Sequence, residues 1–334
     1  MFSMTHRPRR LRVHETLRRL IRETAVSVDD LIAPLFVAEG ESTRQEIGAM
    51  PGQYRLGIGP LIDECRALRD AGIPGVALFP VVPDELKRPD AAEILNPNGL
   101  YPRAIAALKK EVPDLLVFSD VALDPFSSDG HDGIVSGGKI QNDATVEVLA
   151  QASLVQAEAG ADVIAPSDMM DGRVGVIREA LDSGGFEDVS ILSYTAKYAS
   201  AYYGPFREAL DSAPRARGDV PADKKTYQMD PANAEEAVRE LYLDLAEGAD
   251  MVMVKPALNY LDVIALLREH SSVPVAAYHV SGEYAMVKAA ASRGWLDERA
   301  AAMEAVTAIK RAGASIILTY FAGAIATWLK GRDA

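Results

Sequence analysis

Cysteine is almost missing from these 334 residues, with Cys65 standing alone. A single thiol excludes a disulfide framework and any zinc site built from several cysteines. It also fits a reducing compartment, read here as the cytoplasm. No uninterrupted apolar run approaches the roughly 18–20 residues that span a bilayer, so no membrane role is expected. Positive charge is short as well: 35 Lys and Arg against 48 Asp and Glu leave a formal charge of −13. That balance argues against nucleic acid as a partner, because phosphate binding needs a basic surface. No strand-like run leads into a Gly-x-Gly-x-x-Gly turn, which sets a doubly wound dinucleotide-binding sheet behind other α/β architectures. No linker or low-complexity tract divides the chain.

What is present is an alternation. Eight short apolar runs recur: Leu31–Val37, Gly75–Pro80, Leu115–Val121, Val163–Pro166, Ser190–Thr195, Met251–Val254, Val275–Val280 and Ser315–Thr319. Several are nearly continuous Val, Ile, Leu and Met, as in parallel strands buried on both faces. Between them lie amphipathic stretches, among them Leu61–Asp70, Ala144–Ala159, Pro231–Glu247 and Glu298–Ala312, each ending at a glycine suited to a helix C-terminus. Eight βα units predict an α/β fold of the (β/α)₈ TIM-barrel type over residues 31–334. Residues 1–30 precede it. Within them, residues 1–22 carry seven Arg and one acid, a +6 arm before a −19 body. A transit peptide is disfavoured by the scarcity of serine and by Pro8, which is expected to break an early helix. The expected role is a basic arm laid on an acidic neighbouring subunit.

Two loops are too long to be plain connectors. Asp120–Asp143 is rich in glycine and aspartate, and Tyr203–Asp230 carries Arg207, Arg215, Arg217, Lys224 and Lys225. A cationic loop on the catalytic face of a barrel suits a lid over an anionic substrate. Lys255 ends the buried run Met251–Val254, and Lys197 lies just past Ser190–Thr195. Neighbouring strands would bring the two lysines together, where burial and mutual repulsion favour a free amine able to form an imine. Asp120, Asp168, Tyr278, His279, Ser281 and Tyr320 stand at other strand ends and suit carboxylate binding and proton transfer, His279 more as a structural group. A one-lysine aldolase-type barrel and a non-catalytic scaffold are the competing readings.

The run Ser193–Ser200 through Tyr203-Gly204-Pro205-Phe206-Arg207, the strand Met251–Pro256, Tyr227–Asp230, Val280–Tyr284 and Leu318–Tyr320 together resemble the porphobilinogen synthase (5-aminolevulinate dehydratase) family, from about residue 8 to the C-terminus. The resemblance implies a lyase that condenses two 5-aminolevulinate molecules to porphobilinogen with loss of two waters, in tetrapyrrole synthesis, without an organic cofactor. It implies an imine at Lys255 with the substrate that becomes the propionate side, and one at Lys197 with the acetate-side substrate. Ser281 and Tyr320 would bind the first carboxylate, Arg207 and Lys224 the second, with Arg215 or Arg217 as substitutes for Lys224. Tyr203 and Tyr278 would line the pocket, and Asp120 and Asp168 would shuttle protons. Zinc-dependent members carry three cysteines where this chain has Ala122, Asp124 and Asp132, so no catalytic zinc is expected. Glu240 matches a regulatory magnesium glutamate, so magnesium, or no metal, is expected. The resemblance further implies a homo-octamer of arm-exchanging dimers.

Overall fold

The computed structural model describes residues 5–215 and 218–331. Its centre is a closed parallel barrel of eight strands: β1 (Leu31–Ala38), β2 (Gly75–Val81), β3 (Leu116–Val121), β4 (Val163–Pro166), β5 (Ser190–Lys197), β6 (Met251–Lys255), β7 (Val275–His279) and β8 (Ile316–Thr319). Each pairs with the next in chain order, and β8 closes on β1 through Leu31↔Ile317 and Ile32↔Leu318. Almost every strand residue is buried, which is why these runs lack polar alternation: one face fills the barrel and the other meets the helices.

The strands coincide with the apolar runs to within two residues, and the largest difference falls at Lys197. β5 and β6 run on through Lys197 and Lys255 because the ladder between them continues past a bulge to Val254↔Ala196 and Lys255↔Lys197. The helix expected at Pro231–Glu247 starts later, at Glu235. Asp230 holds the preceding turn, its carboxylate accepting from Ala232 N at 2.9 Å and its carbonyl from Asn233 N at 3.0 Å. The repeated Ala-Gly-Ala and Glu-Gly-Ala turns end their helices as expected, with Gly160 and Gly248 both at φ 101°.

Pro8 does not stop the arm from coiling. It occupies the first turn of a 3₁₀ segment, Pro8–Arg12, where a missing N–H costs nothing, and an α-helix follows at Glu15–Leu20. The arm is exposed nearly throughout, leaving Leu11, Val13, Leu20 and Ile21 in solvent. The first long loop contains a small hairpin, Val135–Ser136 with Lys139–Ile140. The second begins with the helix Gly204–Leu210 and returns to the barrel where Met229 bridges Tyr198.

Candidate active site

At the C-terminal mouth of the barrel, Lys255 and Lys197 are direct register partners on neighbouring strands, so their side chains leave the same face of the sheet. Both are about 95% buried, at 5% and 6% exposure. The Lys255 ammonium lies 4.7 Å from the Tyr278 ring centroid and 5.0 Å from those of Tyr194 and Phe206, with Tyr203 at 5.3 Å. This aromatic enclosure keeps water out. Burial, followed by the charge of Lys197, pulls the Lys255 pKa down to about 7, so a free amine is accessible near neutral pH. Lys197 Nζ donates to the Ser167 carbonyl and lies 3.6 Å from Asp132 Oδ2.

Three aspartates of the first long loop converge on these lysines. Asp120 is pushed up to about 7 by burial and by Asp124, against the pull of Lys255 and Lys197. Its Oδ1 is buried without a hydrogen-bond partner among the described residues. Asp124 and Asp132 accept from a single ammonium, Lys224 Nζ, at 3.2 Å each. Burial opposes ionisation of Asp132, but Lys197 and Lys224 outweigh it and hold its carboxyl well below the usual range. Burial would likewise depress Lys224, and Asp124 and Asp132 reverse that. Arg207 is close enough for its charge to act on Lys224. The second long loop thus brings two adjacent cations to the mouth.

On the opposite side, Ser281 Oγ accepts from Phe206 N at 3.0 Å and donates to the Tyr202 carbonyl at 3.3 Å. That contact brings Tyr202 so close that a Cβ on Gly282 would lie 2.5 Å from its carbonyl oxygen, so only glycine fits. The Tyr278 and Tyr320 hydroxyls bond each other at 2.9 Å, and Tyr203 donates to the Lys255 carbonyl at 3.1 Å. Ser281, Tyr320, Tyr278 and Tyr203 therefore surround the Lys255 side of the pocket.

Asp168 sits in a buried cluster: its Oδ1 accepts from Met170 N at 2.7 Å and its Oδ2 lies 3.8 Å from Arg173 Nε. Arg173 also reaches Ser193 Oγ at 3.0 Å and Asp244 Oδ1 at 3.7 Å. Half-buried Glu240 borders this cluster; burial pushes it up to about 7, with Arg173 opposing. Arg215, within the second long loop, pairs with Asp84 at 2.7 Å and Asp211 at 2.8 Å. Arg217 lies outside the described residues. Among the described residues no group of three or more His, Cys, Asp or Glu is arranged to hold a metal ion. Sequence reasoning placed Tyr203 and Tyr278 at the pocket but missed Tyr194 and Phe206 as the other rings around Lys255, the role of Asp124 and Asp132 as Lys224 partners, and Arg173. The mixed spacing Asp120, Asp124, Asp132 was the available signal for the carboxylates.

Comparison with known proteins bears on the same residues. A family model described as delta-aminolevulinic acid dehydratase matches residues 5–328. The chloroplastic delta-aminolevulinic acid dehydratase of Physcomitrium patens is 58% identical over 328 residues, 98% of this chain and 74% of the relative. The dehydratase of Bradyrhizobium diazoefficiens is 53% identical over 316 residues, 95% of this chain and 88% of its own. The crystal structure of the Toxoplasma gondii enzyme in complex with its reaction product, porphobilinogen, superposes with a TM-score of 0.94 at 52% identity, covering 97% and 92% of the two chains. Relatives named chloroplastic overturn the cytoplasmic location inferred from the lone cysteine. A reduced thiol reports a redox poise, not an address. The chain belongs to the delta-aminolevulinic acid dehydratase family, the porphobilinogen synthases of tetrapyrrole biosynthesis.

Proposed function

We propose that this enzyme condenses its two 5-aminolevulinate molecules through two lysine imines, one at Lys255 and one at Lys197. The observation that carries the reading is their register pairing inside one buried pocket. Each amine adds to a ketone carbon and expels one water. The carbon next to the Lys197 imine then loses a proton and attacks the electrophilic imine carbon held by Lys255; Lys255 departs as an amine when the attacking carbon gives up its second proton to form a carbon–carbon double bond. The amino group of the Lys255-side substrate displaces Lys197 in turn, and the carbon beside that nitrogen loses a proton as the ring nitrogen gains one, so the pyrrole forms, both lysines are regenerated and the two lost waters balance. Asp120 is the base we assign, since its carboxyl, raised to about 7, is half ionised where the Lys255 amine is half free. Asp168 acts through Arg173, 3.8 Å away in a buried cluster. Replacing Lys255 with Met abolishes turnover in this scheme; appreciable residual activity rejects its role.

Ser281 and Tyr320 take the carboxylate of the Lys255 substrate, with Tyr278 and Tyr203 shaping the pocket. Arg207 and Lys224 take the other. Arg215, already satisfied by Asp84 and Asp211, is not needed there. No step uses zinc: Ala122, Asp124 and Asp132 offer no thiolate, and the Lys224 ammonium already bonds both carboxylates. A magnesium ion suits Glu240, a half-buried carboxylate whose charge burial disfavours, with water filling the remaining positions. It would supply fixed positive charge beside Asp244 and Arg173. The division into a 1–30 arm, a 31–334 barrel and a lid near 203–230 belongs to this reading. So does an octamer of arm-exchanging dimers, which would cover the apolar side chains exposed along the arm.

A further inference from the structure

The lid rests on a strap of four consecutive residues, Asp129 to Asp132. The Asp129 carbonyl accepts from Arg215 N at 3.0 Å. Gly130 lies so close to the lid backbone that a Cβ would sit 2.1 Å from the Ala213 carbonyl oxygen. Asp132 holds Lys224. Between them lies His131, fully buried and given no part in the chemistry above.

Its two nitrogens meet the two ends of one lid segment. Nε2 is 2.8 Å from the Pro221 carbonyl, and Nδ1 is 3.0 Å from the Tyr227 hydroxyl. A carbonyl only accepts, so Nε2 carries the proton and Nδ1 accepts from the hydroxyl. The same hydroxyl accepts from Asp132 N at 3.2 Å. The bonds therefore run in one direction, from Asp132 N–H to Tyr227 O–H to His131 Nδ1, then from Nε2–H to Pro221. Lys224 sits in the middle of the span thus pinned, and the Lys224 carbonyl accepts from Tyr227 N and Gln228 N at 3.3 and 2.9 Å. Pinning both ends of a short segment fixes where the ammonium between them can reach.

We propose that His131 is a positioning residue for substrate binding, holding the Pro221–Tyr227 segment so that Lys224 stands in register for the second substrate's carboxylate. This rests on the reading of Lys224 given above. A side chain that merely filled space would affect folding without discriminating between the two substrates.

The test compares His131→Ala, His131→Gln, Tyr227→Phe and Lys224→Met in the full-length enzyme. It reads KM and kcat for 5-aminolevulinate and borohydride adducts at Lys255 and Lys197. Glutamine places an amide N–H near the position of Nε2 and restores the bond to Pro221. We expect His131→Ala to raise KM about tenfold or more, on the scale of lost buried hydrogen bonds, with a smaller change in kcat. Lys255 labelling should persist while Lys197 labelling falls, and His131→Gln should recover most of the loss. Should the alanine variant not fold, Tyr227→Phe must show the same split in milder form. A wild-type KM in the His131 and Tyr227 variants, or equal loss of both adducts, overturns the proposal. Unchanged KM in Lys224→Met instead sinks the reading of Lys224, which keeps the two failures apart.

Discussion

Lys255 and Lys197 are cross-strand partners in a parallel ladder, with Val254↔Ala196 pairing one step before them. Backbone geometry alone therefore places the two amines on one face. Burial, with the charge of Lys197 beside it, lowers Lys255 from 10.5 to about 7. The amine is the nucleophile, so imine formation at Lys255 should rise as pH increases through about 7 and level off above it. The rate of borohydride labelling at Lys255 between pH 5.5 and 9 measures this. A half-point near 10 would contradict the assignment.

The same shift makes Lys255 a cost to the fold. A lysine whose folded pKa lies below its unfolded value binds fewer protons when folded, so its penalty is complete below about pH 7 and fades as pH rises toward 10.5. Lys255→Met should accordingly raise the melting temperature at pH 7 by about 2 °C or more while abolishing turnover. By pH 10.5 that gain should have largely gone. A variant less stable than wild type at pH 7 would count against a strained, functional lysine.

Asp120 and Asp168 are both buried and both raised, to about 7 and about 6, with Lys255 and Lys197 pulling against the rise of Asp120 and Arg173 against that of Asp168. Asp120→Asn should lower kcat roughly 100-fold or more, with little effect on unfolding by urea. Arg173→Met, which strips Asp168 and Asp244 of their shared cation, should destabilise the fold by about 3–5 kcal/mol. If Asp168→Asn lowers kcat as far as Asp120→Asn at unchanged stability, the two roles have been assigned the wrong way round.

Metal removal separates the two candidate centres. Chelation by EDTA should leave measurable activity, and added zinc should restore nothing. Magnesium should raise the melting temperature of wild type and leave that of Glu240→Gln unchanged. Activity lost completely and recovered only with zinc would contradict the carboxylate site argued here.

The arm carries its own prediction. An enzyme lacking residues 1–22 should sediment as a smaller assembly than the full chain, because Leu11, Val13, Leu20 and Ile21 stand in solvent without a partner surface. An unchanged sedimentation coefficient removes the arm from the assembly.

The barrel was legible because parallel strands buried on both faces must be apolar throughout, and all eight runs announce themselves in this way. The lysine pair was legible for the same reason: a charge at the end of a buried run is conspicuous. The partners of Asp168 were not legible, because proximity to a strand end does not fix what a side chain meets: Met170 N and Arg173 hold it in a buried cluster. Tyr203 and Tyr278 were expected at the pocket, but the closed cage around Lys255 was not, because Tyr194 and Phe206 come from other elements and meet them only in space. Lys224 stood in a row of lid cations, and burial against Asp124 and Asp132 distinguishes it from the exposed Lys225, which pairs with Asp223.

The most direct test of the account is borohydride reduction of the enzyme in the presence of 5-aminolevulinate, followed by peptide mass spectrometry. Two modified peptides are predicted, one carrying its adduct on Lys255 and the other on Lys197. A single adduct would reduce the mechanism to one imine, and none on either lysine would contradict it outright.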